Sequence, residues 1–425
     1  MEDVPRTLDT LFTGAGEVFT AGPRGPLNDT VVGVSDGRIA YIGNVDGMRE
    51  AGWCQGHETQ MIDLGGRLLT PGLVECHTHL VFGGDRSHEY AQRAAGDSYL
   101  EIAAAGGGIA ATMRATRAAS PSELFDLSRP RLDRLLANGV TTAEVKSGYG
   151  LSMDAELKTL RVVKALDKTH PIELVGTFLG AHSIPPELRG SDAGRVRYLD
   201  EVVEEMIPAV RDEGLAEFCD VFVERGAFTV AEGERVLGAG LDAGLVPKVH
   251  ADQLSSCGGA ELAARLGAVS ADHLEFISDA GIQAMADAGV VAVLLPGAAL
   301  FLGTPESPPA RTLIQRGVDV ALSTDCNPGT CMTENLLLML TLGMSRYKMT
   351  PREVLEAVTV KAAKAIGRAD RAGVIAVGRR ADLAVFDVPS HRHLPYHFGV
   401  GHTYAVYIGG KQVYQRPPLS QPAAL

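Results

Sequence analysis

Short apolar or strand-like runs recur through the middle of the chain, at 72–79, 140–146, 172–179, 219–224, 245–250, 268–273, 290–295 and 319–324. Runs of this length, bounded by turn residues, read as buried strands. Between most of them the apolar positions change to helical spacing. Leu124, Leu127, Leu132, Leu135 and Leu136 follow a capping box, Ser120-Pro121-Ser122-Glu123, and the pattern stops at Asn138-Gly139. A second helix is expected to begin at Thr350-Pro351-Arg352-Glu353 and to end near Gly367. Eight strands alternating with helices is the count of a (β/α)8 barrel. A doubly wound open sheet uses the same elements and is the alternative.

The two ends have a different texture. "TVVGVSDGRIAYIGN" reads as a hairpin through Asp36-Gly37, and "MIDLGGRLLTPG" as a second strand pair turning at Gly65-Gly66. "ADLAVFDV" and "YAVYIGGKQVYQ", with Gly409-Gly410 at the turn, repeat that texture at the far end. Neither end carries enough apolar surface to stand alone. The expected organisation is therefore α/β: residues 1–69 plus 370–425 form one small β-sandwich domain, and residues 70–369 form the barrel.

Composition narrows the class. The chain has 425 residues, 45% of them hydrophobic and 21% charged, which suits a large globular core. A net charge of −13 argues against nucleic acid as partner. No apolar stretch reaches the ~18 residues of a membrane span, and "MEDVPRTLDTLFTGAG" does not have the layout of a signal peptide. The six cysteines are scattered without CxxC spacing, as in a cytoplasmic protein with reduced thiols. Gly106-Gly107-Gly108 lacks the strand before it and the GK[ST] after it that a phosphate loop needs, so a turning loop is expected there.

The candidate chemistry sits at strand ends. In a strand, residues i and i+2 face the same side, so His77 and His79 of "PGLVECHTHL" project together while Thr78 turns away. At the C-terminal end of a barrel strand that side is the mouth. Two neutral imidazoles there are half of a site for zinc, iron or another transition metal. A pair of solvated or core histidines is the plainer reading. It loses ground because later strands also end in polar residues: "ELVGTFLGAH" at His182, "GLVPKVHADQ" at His250 with Gln253 three residues on, "GAVSADHLE" at His273 and "GVDVALSTDCNPGT" at Asp325. His77, His79 and His250 are neutral donors, and Asp325 adds a carboxylate that ligates, acts as a general base toward water, or does both in turn. A metal there lowers the pKa of a water molecule toward neutrality. His273 and His182 are placed to hydrogen-bond or protonate a substrate. Arg86, after Gly83-Gly84, and Tyr149, in "EVKSGYG", supply a fork and a phenol suited to a carboxylate. "NPGT", residues 327–330, adds an amide and backbone groups beside Asp325.

Together "PGLVECHTHLVFGGDR", "EVKSGYGL", "TFLGAHSIP", "KVHADQ", "SADHLE" and "LSTDCNPGT" resemble, in order from residue 71 to 330, the amidohydrolase superfamily and within it the imidazolonepropionase family. The resemblance implies hydrolysis of 4-imidazolone-5-propanoate to N-formimidoyl-glutamate by attack of a metal-activated water on the cyclic amide. It implies one metal ion, zinc or iron, bound by His77, His79, His250 and Asp325. It also implies substrate contacts from Arg86, Tyr99, Tyr149, His182, Gln253, Asn327, Gly329 and Thr330, with Arg86 and Tyr149 on the propionate tail. Asp325, His273, His182 and Gln253 are the catalytic candidates.

Two departures from the family pattern matter. Some members have Glu where this chain has Gln253, and an amide cannot act as a base. The superfamily's bridging lysine on the fourth strand is also missing, since "CDVFVE" ends in Glu224, so a mononuclear site is expected. A homodimer acting on a small molecule completes the expectation. A related deaminase of a nucleobase is the alternative enzyme; a neutral base would leave Arg86 and Tyr149 without a carboxylate. A barrel that has lost catalysis would show gaps among the ligands, and none is seen. His391 and His393 form a second H-x-H, but in a proline-flanked loop that is a poor platform for metal. Cys326 reads as a small buried neighbour of Asp325 rather than a nucleophile.

Overall fold

The computed structural model describes residues 6–97, 101 and 106–417. Strands β1 (Arg6–Thr13), β4 (Val31–Ser35), β5 (Arg38–Gly43) and β6 (Trp53–Asp63) make a four-stranded sheet of order β5-β4-β1-β6. A six-stranded sheet of order β18-β17-β16-β7-β2-β3 draws on both ends of the chain. It contains β2 (Glu17–Phe19), β3 (Pro26–Leu27) and β7 (Leu68–Pro71) from the first, and β16 (Leu383–Phe386), β17 (Thr403–Ile408) and β18 (Lys411–Gln415) from the second. One apolar cluster holds the two sheets together, with Phe12, Val32 and Ile39 against Leu69, Leu383, Val385 and Ala405. The hairpins at Asp36-Gly37 and Gly409-Gly410 form as expected.

The pair expected to turn at Gly65-Gly66 does not form. Strand β6 pairs with β1, whereas β7 pairs with β16 and β2, so the chain changes sheets at the double glycine. Both glycines take left-handed φ, 56° and 81°. The burial explains the separation. Most of β6 is exposed, as on a sheet edge, while all four residues of β7 are buried, as at a sheet centre.

The eight remaining strands form one parallel sheet in chain order: β8 (Leu73–Glu75), β9 (Val140–Lys146), β10 (Glu173–Ala181), β11 (Phe218–Val223), β12 (Val246–Ala251), β13 (Ser270–His273), β14 (Val291–Leu294) and β15 (Val320–Leu322). All eight fall on the runs expected to be strands. The ends meet at a parallel bridge between Thr78 and Cys326, supported by Asp325 N–H to His77 O at 3.2 Å and His79 N–H to Cys326 O at 3.0 Å. The barrel therefore closes through the very residues that carry the candidate ligands.

Helices between the strands follow the sequence signals. Pro121–Ala137 begins with the reciprocal capping box of Ser120 and Glu123 and buries Leu124, Leu132, Leu135 and Leu136. The segment expected as one helix from Thr350 to Gly367 is split into Pro351–Ala357 and Val360–Ala365. Thr359 causes the break: its hydroxyl donates to Leu355 O at 2.6 Å, competing with the backbone ladder, and its φ and ψ are −129° and −99°. Gly108 in the glycine triple caps the helix Ile109–Ala118. Among the described residues no helix is long and apolar enough to cross a membrane.

Candidate active site

The site is built in layers along the barrel axis, and the period of two along each strand sets the layers. In the lower layer lie Glu144, Lys146, Asp220, Lys248 and Asp272, all fully buried. Lys146 Nζ stands 2.8 Å from Asp220 Oδ2, 3.1 Å from Glu144 Oε1 and 3.3 Å from Asp272 Oδ2. Lys248 Nζ lies 2.9 Å from Glu144 Oε1. Burial alone would favour a neutral Lys146, but Asp220, Glu144 and Asp272 outweigh it and raise its pKa. Glu75, also buried, hydrogen-bonds Ser323, and burial pushes its pKa up to about 8.

Directly above are the candidate ligands. His77 Nδ1 pairs with Asp272 Oδ2 at 2.7 Å, leaving His77 Nε2 buried and without a hydrogen bond among the described residues. His250 Nδ1 faces Asp220 Oδ2 at 3.0 Å. The Asp272 carboxylate orients the His77 ring, Asp220 sits beside His250 Nδ1 without hydrogen-bonding it, and Lys146 bridges the two carboxylates. The outward nitrogens converge: His77 Nε2 lies 3.5 Å and His79 Nε2 3.7 Å from Asp325 Oδ1, and the Nε2 atoms of His79 and His250 stand 3.4 Å apart. Two donors bound to one ion at ~2.1 Å in tetrahedral geometry are themselves roughly 3.4 Å apart. The donor set thus fits a single transition-metal ion. His77, His79 and Asp325 form one group with metal-ligand spacing, and His77, His250 and His273 form another.

Electrostatics agree with neutral nitrogen donors. Burial lowers the pKa of His77, His79 and His250 well below the ordinary value, with Lys146 adding to the effect at His77 and His250, and His182 at His79. Burial pushes Asp325 up to about 7, and holds His273 down at about 4. Asp325 and His273 both have positive φ, 56° and 80°, which non-glycine residues rarely adopt. Each strand thus ends in a sharp turn that leaves the side chain at the mouth.

Around this centre the structure brings together most of the expected substrate groups. The His182 ring stacks on His79 at 5.1 Å, and Tyr149 lies 5.6 Å from His79 and 5.5 Å from His182. The loop that carries Tyr149 is fixed from below by Glu156, whose carboxylate accepts the N–H groups of Gly148, Gly150 and Leu151. Thr330 Oγ1 reaches Asp325 Oδ2 at 3.3 Å. Asn327 spends its side chain inside its own loop, donating to Asp325 O and Thr330 Oγ1 and accepting from Gly329 and Thr330 N–H. Gln253 is partly buried on the loop after β12, and Arg86 lies beside Gly329. Tyr99 falls outside the described residues.

The second H-x-H is structural. His391 Nδ1 pairs with Glu17 Oε1 at 2.7 Å, its ring lies 5.3 Å from Phe19, and His393 bonds Ser390. Cys326 is buried, and burial raises its thiol pKa well above the ordinary value, which makes it inert.

Reading the strand ends missed the lower layer. Its signal was present: Glu75 is two residues before His77, Glu144 two before Lys146, Lys248 two before His250, and Ser323 two before Asp325. Residues two apart share the barrel interior, so each of these polar groups required a partner there.

A parallel eight-stranded barrel with this donor set at its mouth defines the class, a barrel hydrolase. The amidohydrolase family model matches residues 68–413. An imidazolonepropionase from Geobacillus sp. (strain WCH70) is 51% identical over 382 residues, covering 90% of this chain and 89% of that protein. An imidazolonepropionase from Bacillus velezensis is 45% identical over 425 residues, covering 97% and 99%. In fold, the chain is similar to a zinc-bound adenosine deaminase from Xanthomonas campestris, with TM-score 0.71, 22% identity and coverage of 98% and 96%. The chain belongs to the amidohydrolase family, in its imidazolonepropionase branch.

Proposed function

We propose that this chain hydrolyses 4-imidazolone-5-propanoate to N-formimidoyl-L-glutamate, a step of histidine degradation, using one zinc or iron ion held by His77, His79, His250 and Asp325. The observation that carries the reading is the convergence of four donor atoms at the barrel mouth, in a chain about half identical to imidazolonepropionases. A metal bound there supplies a water acidic enough to attack at neutral pH and polarises the carbonyl it faces.

The chain's own residues do the rest. Asp325 turns Oδ1 toward the imidazoles and leaves Oδ2 with Thr330, so one carboxylate oxygen can take a proton from the attacking water. His273 stays neutral in its buried position and hydrogen-bonds the substrate near the reacting carbon. Water oxygen bonds to the ring carbonyl carbon, the carbon–nitrogen bond breaks, and the proton held by the protein passes to the departing nitrogen. Gln253 orients the ring through its amide and takes no proton. His182 lies over the ring beside His79, and Arg86 and Tyr149 meet the propionate tail. The deaminase reading gains nothing from likeness in fold alone, and it leaves Arg86 without a purpose. The six unpaired thiols support a reducing, cytoplasmic setting, and a homodimer completes the reading.

Product analysis tests the assignment. Incubation with imidazolonepropanoate is expected to give a product heavier by one water, without release of ammonia. Ammonia release, or deamination of a nucleobase with no turnover of imidazolonepropanoate, would overturn it.

A further inference from the structure

The helix Ser87–Ala95 that follows Arg86 is exposed along most of its length, and its one buried residue is a carboxylate, Glu89, 3% exposed. Charged groups are rarely buried without a specific partner. Glu89 Oε2 accepts from Arg86 Nε at 2.9 Å and from Arg86 Nη2 at 2.7 Å, and Gly108 N–H lies 3.2 Å from both carboxylate oxygens. A guanidinium carries five N–H groups. This side-on pairing uses Nε–H and one Nη2–H, which leaves the Nη1/Nη2 edge for a second carboxylate.

That edge lies against the loop after β15. A Cβ at Gly329 would come within 2.2 Å of Arg86 Nη1. Gly329 is not among the glycines with left-handed φ, so space and not backbone geometry calls for glycine there. Gly329 O also accepts from Arg93 Nη2 at 3.3 Å. Among the described residues, the guanidiniums of Arg86 and Arg93 and the Glu89 carboxylate meet at this corner of the mouth, one more positive charge than negative.

We propose that Glu89 is a positioning residue that holds Arg86 side-on, so that its free Nη1/Nη2 edge receives the substrate's carboxylate, and that Gly329 leaves that edge its room. The inference rests on the reading of Arg86 given above. The opposite role is distinct in its consequences: a Glu89 that merely competed with substrate for Arg86 would weaken binding.

The probes are 3-(imidazol-4-yl)propanoate and its carboxamide, compared as inhibitors of the metal-loaded enzyme and of its Glu89→Gln, Gly329→Ala and Arg86→Met variants. Glu89→Gln and Gly329→Ala are each expected to cut the preference for carboxylate over carboxamide by about tenfold, the scale of one charge-assisted hydrogen bond. In Glu89→Gln, carboxamide affinity and kcat should stay nearly constant while the KM for imidazolonepropanoate rises in parallel. A merely structural role would move both probes together. If Glu89→Gln fails to fold, Gly329→Ala carries the test, because the group it displaces is the flexible end of Arg86. An unchanged preference in both variants, or tighter carboxylate binding in Glu89→Gln, overturns the inference. An unchanged preference in Arg86→Met overturns instead the reading that places the tail at Arg86.

Discussion

The chain contains two H-x-H patterns with opposite fates. His77 and His79 lie just past β8, where alternate side chains enter the barrel mouth and meet His250 and Asp325 from other strands. His391 and His393 lie after β16, in a turn that leads into the short helix His393–Tyr396, where one is paired with Glu17 and packed on Phe19 and the other bonds Ser390. The pattern is the same, and the difference lies in what else converges. A strand end in a closed barrel has neighbours that also end there, so donors accumulate. A turn outside the barrel finds one partner per ring, and its histidines become packing groups.

The sharpest way to break this contrast is to remove one ring from each pair. His77→Ala should lose bound metal and reduce kcat/KM by about 10³-fold or more, since a group supporting several kcal/mol of charge stabilisation is removed. Metal analysis and steady-state kinetics on the same sample check this. His391→Ala should keep full metal content and kcat.

A second prediction sharpens the account of the lower layer. Asp272→Asn keeps the shape but weakens the hold on His77 Nδ1, and metal affinity should fall about 10- to 100-fold. Titration with a competing chelator measures it, and an unchanged affinity would mean that the carboxylate does not orient the ring.

Smaller effects are expected where the second motif does its work. His391→Ala leaves the Glu17 carboxylate without its ring partner and should cost about 1–3 kcal/mol in denaturant unfolding. Ser120→Ala removes an N-cap far from both motifs and should cost about 1 kcal/mol without altering catalysis.

The eight barrel strands are legible in the sequence because each is a short apolar run bounded by polar or turn residues. The candidate donors are legible for the same reason, as they terminate the runs. The layer beneath follows the same period of two but mostly hides inside the runs, where Glu144, Asp220, Lys248 and Asp272 interrupt the strands. Their pairing is non-local: Asp220 sits opposite Lys248 and His250 opposite Asp272 only once the sheet register is known. The expected pairing across Gly65-Gly66 failed for a related reason. A double glycine between two strand-like runs marks a turn, but not whether the second strand returns to the first sheet or enters another. Glu89 escaped notice because its helix gives no amphipathic reason for burial; only its bonds from Arg86, which packs on Gly329, and from Gly108 N–H supply one.

The central claim is that one ion held by His77, His79, His250 and Asp325 is necessary for hydrolysis of imidazolonepropanoate. Its most direct test is to strip the protein with a chelator and add zinc or iron(II) back stepwise, following bound metal per chain and imidazolonepropanoate loss together. Activity should be absent in the stripped protein and rise in proportion to occupancy, reaching its maximum at about one ion per chain. Full activity in metal-free protein, or a maximum that requires two ions per chain, would contradict the account.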